Sequence, residues 1–111
     1  MTGITTHILD LSTGSPAAGV SVALERAEAS GWAMLGRVTT DNDGRVREGF
    51  PTPPAAGRYR LTFATGEWFR ARGVASFHPE VTVVFEVRYA RQHHHVPLLL
   101  SPFGYSTYRG S

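Results

Sequence analysis

Val20-Ser21-Val22-Ala23-Leu24-Glu25-Arg26 decides the fold class, because apolar and polar residues alternate along it. Successive side chains of an extended chain point to opposite faces, so the alternation sends one face to a core and the other to solvent or a partner. On either side, short segments rich in Val, Thr, Leu, Phe and Tyr repeat the pattern between turn signals. They predict strands near residues 4–10, 20–28, 31–40, 45–49, 57–65, 80–90, 93–101 and 104–108. About eight such strands make an all-β sandwich or barrel.

The punctuation has its own chemistry. Thr13-Gly14-Ser15-Pro16 and Asp41-Asn42-Asp43-Gly44 combine Gly, Pro and Asx residues, which tolerate or enforce turn dihedrals. Pro51-Thr52-Pro53-Pro54 cannot continue a ladder, since its prolines carry no N–H donor. One stretch departs from the β pattern: at residues 65–72, Thr65 can cap and Glu67 sits near the first turn, which predicts a single short helix. There is no internal repeat, linker or low-complexity tract.

With 111 residues the chain has room for one core, so a single domain over 1–111 is expected. No stretch approaches the roughly 18 apolar residues that span a bilayer, so no membrane segment is expected. A net charge of +2 with scattered Arg residues gives no basic face for a nucleic acid. Zero cysteines exclude disulfides and thiolate chemistry, which fits a reducing compartment. Met1 leads almost directly into a strand-like run without the regions of a signal peptide, so a cytoplasmic location is expected.

Four places could carry chemistry. In His93-His94-His95, strand alternation puts His93 and His95 on one face and His94 on the other. That face is either a wet strand start, a general base or a metal pair. A zinc site would take His93, His95 and His7, yet adjacent His residues have no characteristic metal-ligand spacing. Arg45 follows the Asp43-Gly44 turn, either as a solvated cation or as a bidentate donor to a carboxylate or polarised carbonyl. His7 lies on the face opposite Ile8, which is either solvent or a site. The last stretch, 98–111, carries aromatics almost to Ser111, whereas disordered ends are polar and simple, so docking is expected. A docked end is either a stabilising strand or, in addition, a fixed α-carboxylate at Ser111 that serves as a charged partner.

Tyr108-Arg109-Gly110-Ser111 resembles the terminal tetrapeptide of the 5-hydroxyisourate hydrolases, within the transthyretin-related family. His93 with Val96-Pro97-Leu98-Leu99-Leu100-Ser101-Pro102 resembles the block before it. Thr5-Thr6-His7-Ile8-Leu9-Asp10 with Gly14-x-Pro16-Ala17, Thr40-Asp41-x-Asp43-Gly44-Arg45 and Phe77-x-Pro79-Glu80-Val81 are similar to three further family blocks, so the likeness covers essentially the whole chain. His94 departs from it, standing where these enzymes commonly carry Tyr, and His78 stands where an aromatic is commoner. His94 is expected to face away from His95.

The resemblance implies a transthyretin-like sandwich of two four-stranded sheets with one short helix. It implies hydrolysis of 5-hydroxyisourate in urate breakdown, by water attack on a lactam carbonyl, with no metal or organic cofactor. Carried over position by position, the catalytic set is His7, Arg45 and His95, with Tyr108, Arg109, Gly110 and Ser111 binding substrate. Either imidazole can serve as the base, and the Ser111 carboxylate is expected to orient Arg45 or a His. It also implies a homotetramer, a dimer of dimers with sites at the dimer–dimer interface. Two other classes compete: a transthyretin-like carrier of an apolar ligand, which would lack His7, Arg45 and the Tyr-Arg-Gly-Ser end, and an adhesive sandwich module, which would run as a monomer.

Overall fold

The computed structural model describes residues 3–52 and 54–111. Met1, Thr2 and Pro53, the last within the proline-rich turn read from the sequence, lie outside the described residues. The alternating stretch becomes the centre of a sheet, as its pattern requires. In chain order the elements are β1 Gly3–Asp10, β2 Ser15–Pro16, β3 Ser21–Glu28, β4 Gly31–Thr39, β5 Arg45–Val46, β6 Gly57–Phe63, α1 Thr65–Ala71, β7 Val81–Val87, β8 His93–Ser101 and β9 Gly104–Thr107.

They form two sheets. One runs β4-β3-β6-β7, antiparallel throughout; the other runs β2-β1-β8-β9, with β5 paired to the same edge of β1 as β2. β1 and β8 pair in parallel, Thr5 opposite His95 and Ile8 opposite Leu98. Ile4, Ile8, Val96, Leu98 and Leu100 from this sheet meet Val22, Leu24, Tyr59, Leu61, Phe63, Val81 and Val87 from the other in one core. Each fully buried aliphatic or Phe side chain contributes about 1.5–3 kcal/mol of transfer free energy. The outer face of β1 and β8 is left to Thr5, His7, His93 and His95.

Several expectations shift in detail. The helix begins at Thr65, with Ala64 as its N-cap and no side-chain cap bond, so Thr65 is not the cap; its hydroxyl is buried without a partner among the described residues. What reads as a turn at Ser15-Pro16 returns far enough to pair with Leu9 and Asp10, so the sheet built on β1 and β8 has five strands where four were expected. The strand read over 45–49 holds the ladder only at Arg45 and Val46. No helix among the described residues is long and apolar enough to cross a membrane.

β5 is placed by the turn before it. Asp41 Oδ1 accepts the backbone N–H of Asp43 at 2.9 Å and of Arg45 at 3.0 Å, while Gly44 N–H donates to Asp41 O at 2.9 Å. Gly44 has φ +73°, and a Cβ there would lie 2.5 Å from Ile8 O. Left-handed strain of about 1–2 kcal/mol and a clash of comparable size both follow from any side chain. Gly44→Ala is therefore expected to lower unfolding stability by about 2–4 kcal/mol, measured by urea denaturation; a loss below 0.5 kcal/mol, within the range of a neutral surface change, would show that the turn relaxes freely.

Candidate active site

Alternation along β1 and β8 sends His94 inward, where it is 4% exposed, and leaves His93 and His95 half-buried on the outer face. His7 faces outward from β1, and the antiparallel pair His7↔Arg45 brings the cation of β5 beside it. Arg45, Thr5, Thr6, His93, His95 and Ser111 line a cavity of about 200 Å³. Residues from four separated parts of the chain thus meet at one cavity. Thr5 Oγ1 stands between two rings there, 2.7 Å from His93 Nε2 and 2.8 Å from His95 Nδ1.

The electrostatics follow from this crowding. Burial, then the neighbouring His93, Arg45 and His7, hold the His95 imidazole below its ordinary value of 6.5. His7 is likewise lowered, first by burial and then by the Arg45 charge, against the opposing Asp43 backbone and the Asp41 and Asp43 carboxylates. Each ring is costlier to protonate beside a fixed guanidinium, so both stand neutral next to a permanent cation at neutral pH. A neutral imidazole can accept a proton, and a guanidinium can stabilise developing negative charge.

The Tyr108 to Ser111 segment is docked through its backbone. β9 pairs with β8, Gly110 N–H donates to His95 O at 2.8 Å, and Thr107 Oγ1 donates to Pro97 O at 2.7 Å. The residues of the tetrapeptide part company here. Ser111 lines the cavity with Arg45, whereas Tyr108 and Arg109 line a second cavity with His94, Val96 and Phe85; His95 borders both. Arg109 donates to His93 O at 3.2 Å and Gln92 Oε1 at 3.3 Å, so its guanidinium braces β8. Among the described residues no ion pair joins Ser111 to Arg45. No three His, Asp or Glu side chains among them come together as a metal-binding group. Sequence reasoning missed Thr5 and weighed the face of His93 and His95 as a wet strand start, a general base or a metal pair. The i, i+2 relation of Thr5 to His7 put both on one face, but nothing local named the partner strand.

A two-sheet sandwich with one short helix and an imidazole–guanidinium cluster on an outer sheet face defines the class: a β-sandwich with titratable side chains gathered at a cavity. A family model described as the HIUase/Transthyretin family matches residues 4–110. The 5-hydroxyisourate hydrolase of Caulobacter vibrioides is 48% identical over 115 residues, covering 100% of both chains. The structure of Klebsiella pneumoniae 5-hydroxyisourate hydrolase matches with a TM-score of 0.87 and 42% identity, over 97% of this chain and 98% of that one. Transthyretin from Sparus aurata matches with a TM-score of 0.93 and 30% identity, over 99% and 97%. The chain belongs to the HIUase/Transthyretin family.

Gly110 is where the tail and the ring meet. A Cβ there would lie 2.5 Å from His95 Cδ2 and 3.3 Å from Pro97 Cγ. Gly110→Ala must move either the ring or the tail. Turnover of 5-hydroxyisourate is expected to fall at least about tenfold, since small misplacement of a reacting group costs up to about 10²-fold, while the urea midpoint is retained. Unchanged turnover would show that this contact does not hold the ring in place.

Proposed function

We propose that this chain is a hydrolase that opens the lactam ring of 5-hydroxyisourate in urate breakdown, with His95 as general base and Arg45 as the oxyanion-stabilising cation. The observation that carries this reading is the single cavity in which Arg45, a neutral His95 and Ser111 meet. Water held between His95 and the substrate gives up a proton to the imidazole as its oxygen attacks the lactam carbonyl. Negative charge that builds on the carbonyl oxygen is met by the Arg45 guanidinium. The tetrahedral intermediate then expels the ring nitrogen, which the protonated His95 supplies with a proton. His7 on β1, paired across the ladder with Arg45, adds a second neutral ring beside that cation.

Fold likeness alone does not choose between this and a carrier, because the chain resembles transthyretin from Sparus aurata as closely in shape as it resembles the Klebsiella enzyme. The sheet face chooses. A surface bearing His7, His93, His95 and Arg45 suits proton transfer and an anionic transition state rather than an apolar ligand. A cavity of about 200 Å³ is below the roughly 300 Å³ at which small-molecule sites begin. That shortfall supports a homotetramer in which a second copy completes each site at the dimer–dimer interface.

The deciding assay is ultraviolet decay of freshly generated 5-hydroxyisourate, run on chelator-dialysed protein, where a zinc hydroxide mechanism predicts no turnover. His95→Asn is expected to lose about 10²- to 10⁴-fold in rate with an unchanged melting temperature, the range for a general base. Near wild-type turnover would remove His95 from the reaction. The pH profile gives a separate check. Because both rings are lowered below 6.5, the base stays neutral as pH falls through that value, so the acidic limb of kcat/KM is expected below 6.5. By the same sign, stability from the two neutral rings is complete above 6.5 and is lost as pH falls through the lowered values. An acidic limb above 6.5 would contradict the assignment.

A further inference from the structure

Thr5 is 8% exposed, and its one hydroxyl touches two imidazoles on the same sheet face. The parallel register explains why: Thr5 lies opposite His95, and Gly3, two residues back, lies opposite His93. The two rings project from alternate positions of β8 with centroids 6.0 Å apart, and Oγ1 fills the space between them. A hydroxyl has one proton, while a neutral imidazole has one N–H and one bare nitrogen. The row His95–Thr5–His93 therefore has two complete settings. In one, His95 Nδ1–H donates to Oγ1 and Oγ1–H donates to His93 Nε2, so both rings carry their proton on Nδ1. In the other the direction reverses, and both rings carry it on Nε2.

The two settings differ in what His95 offers the cavity. Its Nδ1 is engaged by Thr5, so Nε2 is the one nitrogen that can take a proton from water. Only the first setting leaves Nε2 bare. Arg45 lines the same cavity, and a fixed cation favours a lone pair over an N–H facing it. We propose that Thr5 is a positioning residue that selects the reactive tautomer of His95, with His93 as the acceptor that closes the row. The proposal rests on His95 as the general base and gives His93 a role without contact to substrate. The partner of one ring nitrogen sets the state of the other, as it does for metal-bound and triad histidines.

The test uses the intact protein labelled with nitrogen-15 at histidine, because ring-nitrogen chemical shifts separate a protonated nitrogen from a bare one. Above pH 6.5, where His95 is neutral, His95 is expected with Nδ1 protonated and Nε2 bare. An Nε2–H ring at His95 in the wild-type protein would overturn the proposal even where His95→Asn is inactive, whereas full turnover of His95→Asn would overturn the base assignment on its own. Thr5→Val keeps the shape and removes the hydroxyl. It is expected to lower kcat about 10- to 100-fold, the range for a lost orienting partner, with KM little changed and His95 shifted toward Nε2–H. Thr5→Ser is expected to restore kcat and the tautomer, which a purely structural role for the methyl group would not allow. Wild-type kcat in Thr5→Val, or no recovery in Thr5→Ser, would overturn the proposal; the wild-type spectrum decides it if Thr5→Val fails to fold.

Discussion

Parallel pairing of β1 with β8 sets the positions of the core and the site together. Each step along a strand switches faces, so the register that sends Ile4, Ile8, Val96, Leu98 and Leu100 inward is the one that sends Thr5, His7, His93 and His95 outward. A slip of one residue would bury imidazoles and expose five aliphatic side chains, at about 1.5–3 kcal/mol for each. The hydrophobic core is thus what holds the site in register. Thr6, facing inward between the two isoleucines, reinforces it by donating to Val96 O across the pair.

On that platform the second edge of β1 delivers the charge. β2 and β5 divide the edge, taking Leu9–Asp10 and Thr6–His7 respectively, and the Asx turn at Asp41 fixes where β5 begins. Arg45 then stands beside two imidazoles whose own burial already disfavours a proton. The carboxylates of the turn pair elsewhere: Asp41 and Asp43 pair with the exposed Arg47. With no ion pair to a carboxylate among the described residues, the Arg45 guanidinium adds its field to burial in disfavouring a proton on His7 and His95.

How much of this was legible follows from the range of each interaction. Alternation at Val20 to Arg26 gave β3 to within a residue, and the same rule placed His93 and His95 opposite His94. Those are local properties of a strand. The contact between Thr5 and His95 spans 90 positions, and no local pattern announces that β8 will lie alongside β1 in parallel. Thr65 misled because a hydroxyl before an apolar run looks like a cap, whereas packing against the sheets started the helix one residue earlier and buried that hydroxyl. The tetrapeptide was read as one binding unit; in space its members divide, Tyr108 and Arg109 lining one cavity and Ser111 the other.

His94 shows what the division of faces demands on the inner side. The ring is buried beside Val96, Phe85 and Tyr108, and its Nδ1 has no partner among the described residues. An unsatisfied buried polar atom costs about 1–3 kcal/mol, so the substitution is not neutral for the core even though it faces away from the reacting groups. Burial and then the Arg109 charge lower its pKa, which keeps the ring uncharged. A charged ring there would stand against the Arg109 guanidinium, on the inner side of the strand that carries His93 and His95. Burial thus acts on the rings at 94, 7 and 95 in the same direction, and the guanidinium groups lining the cavity on the outer face are those of Arg45 and Arg47.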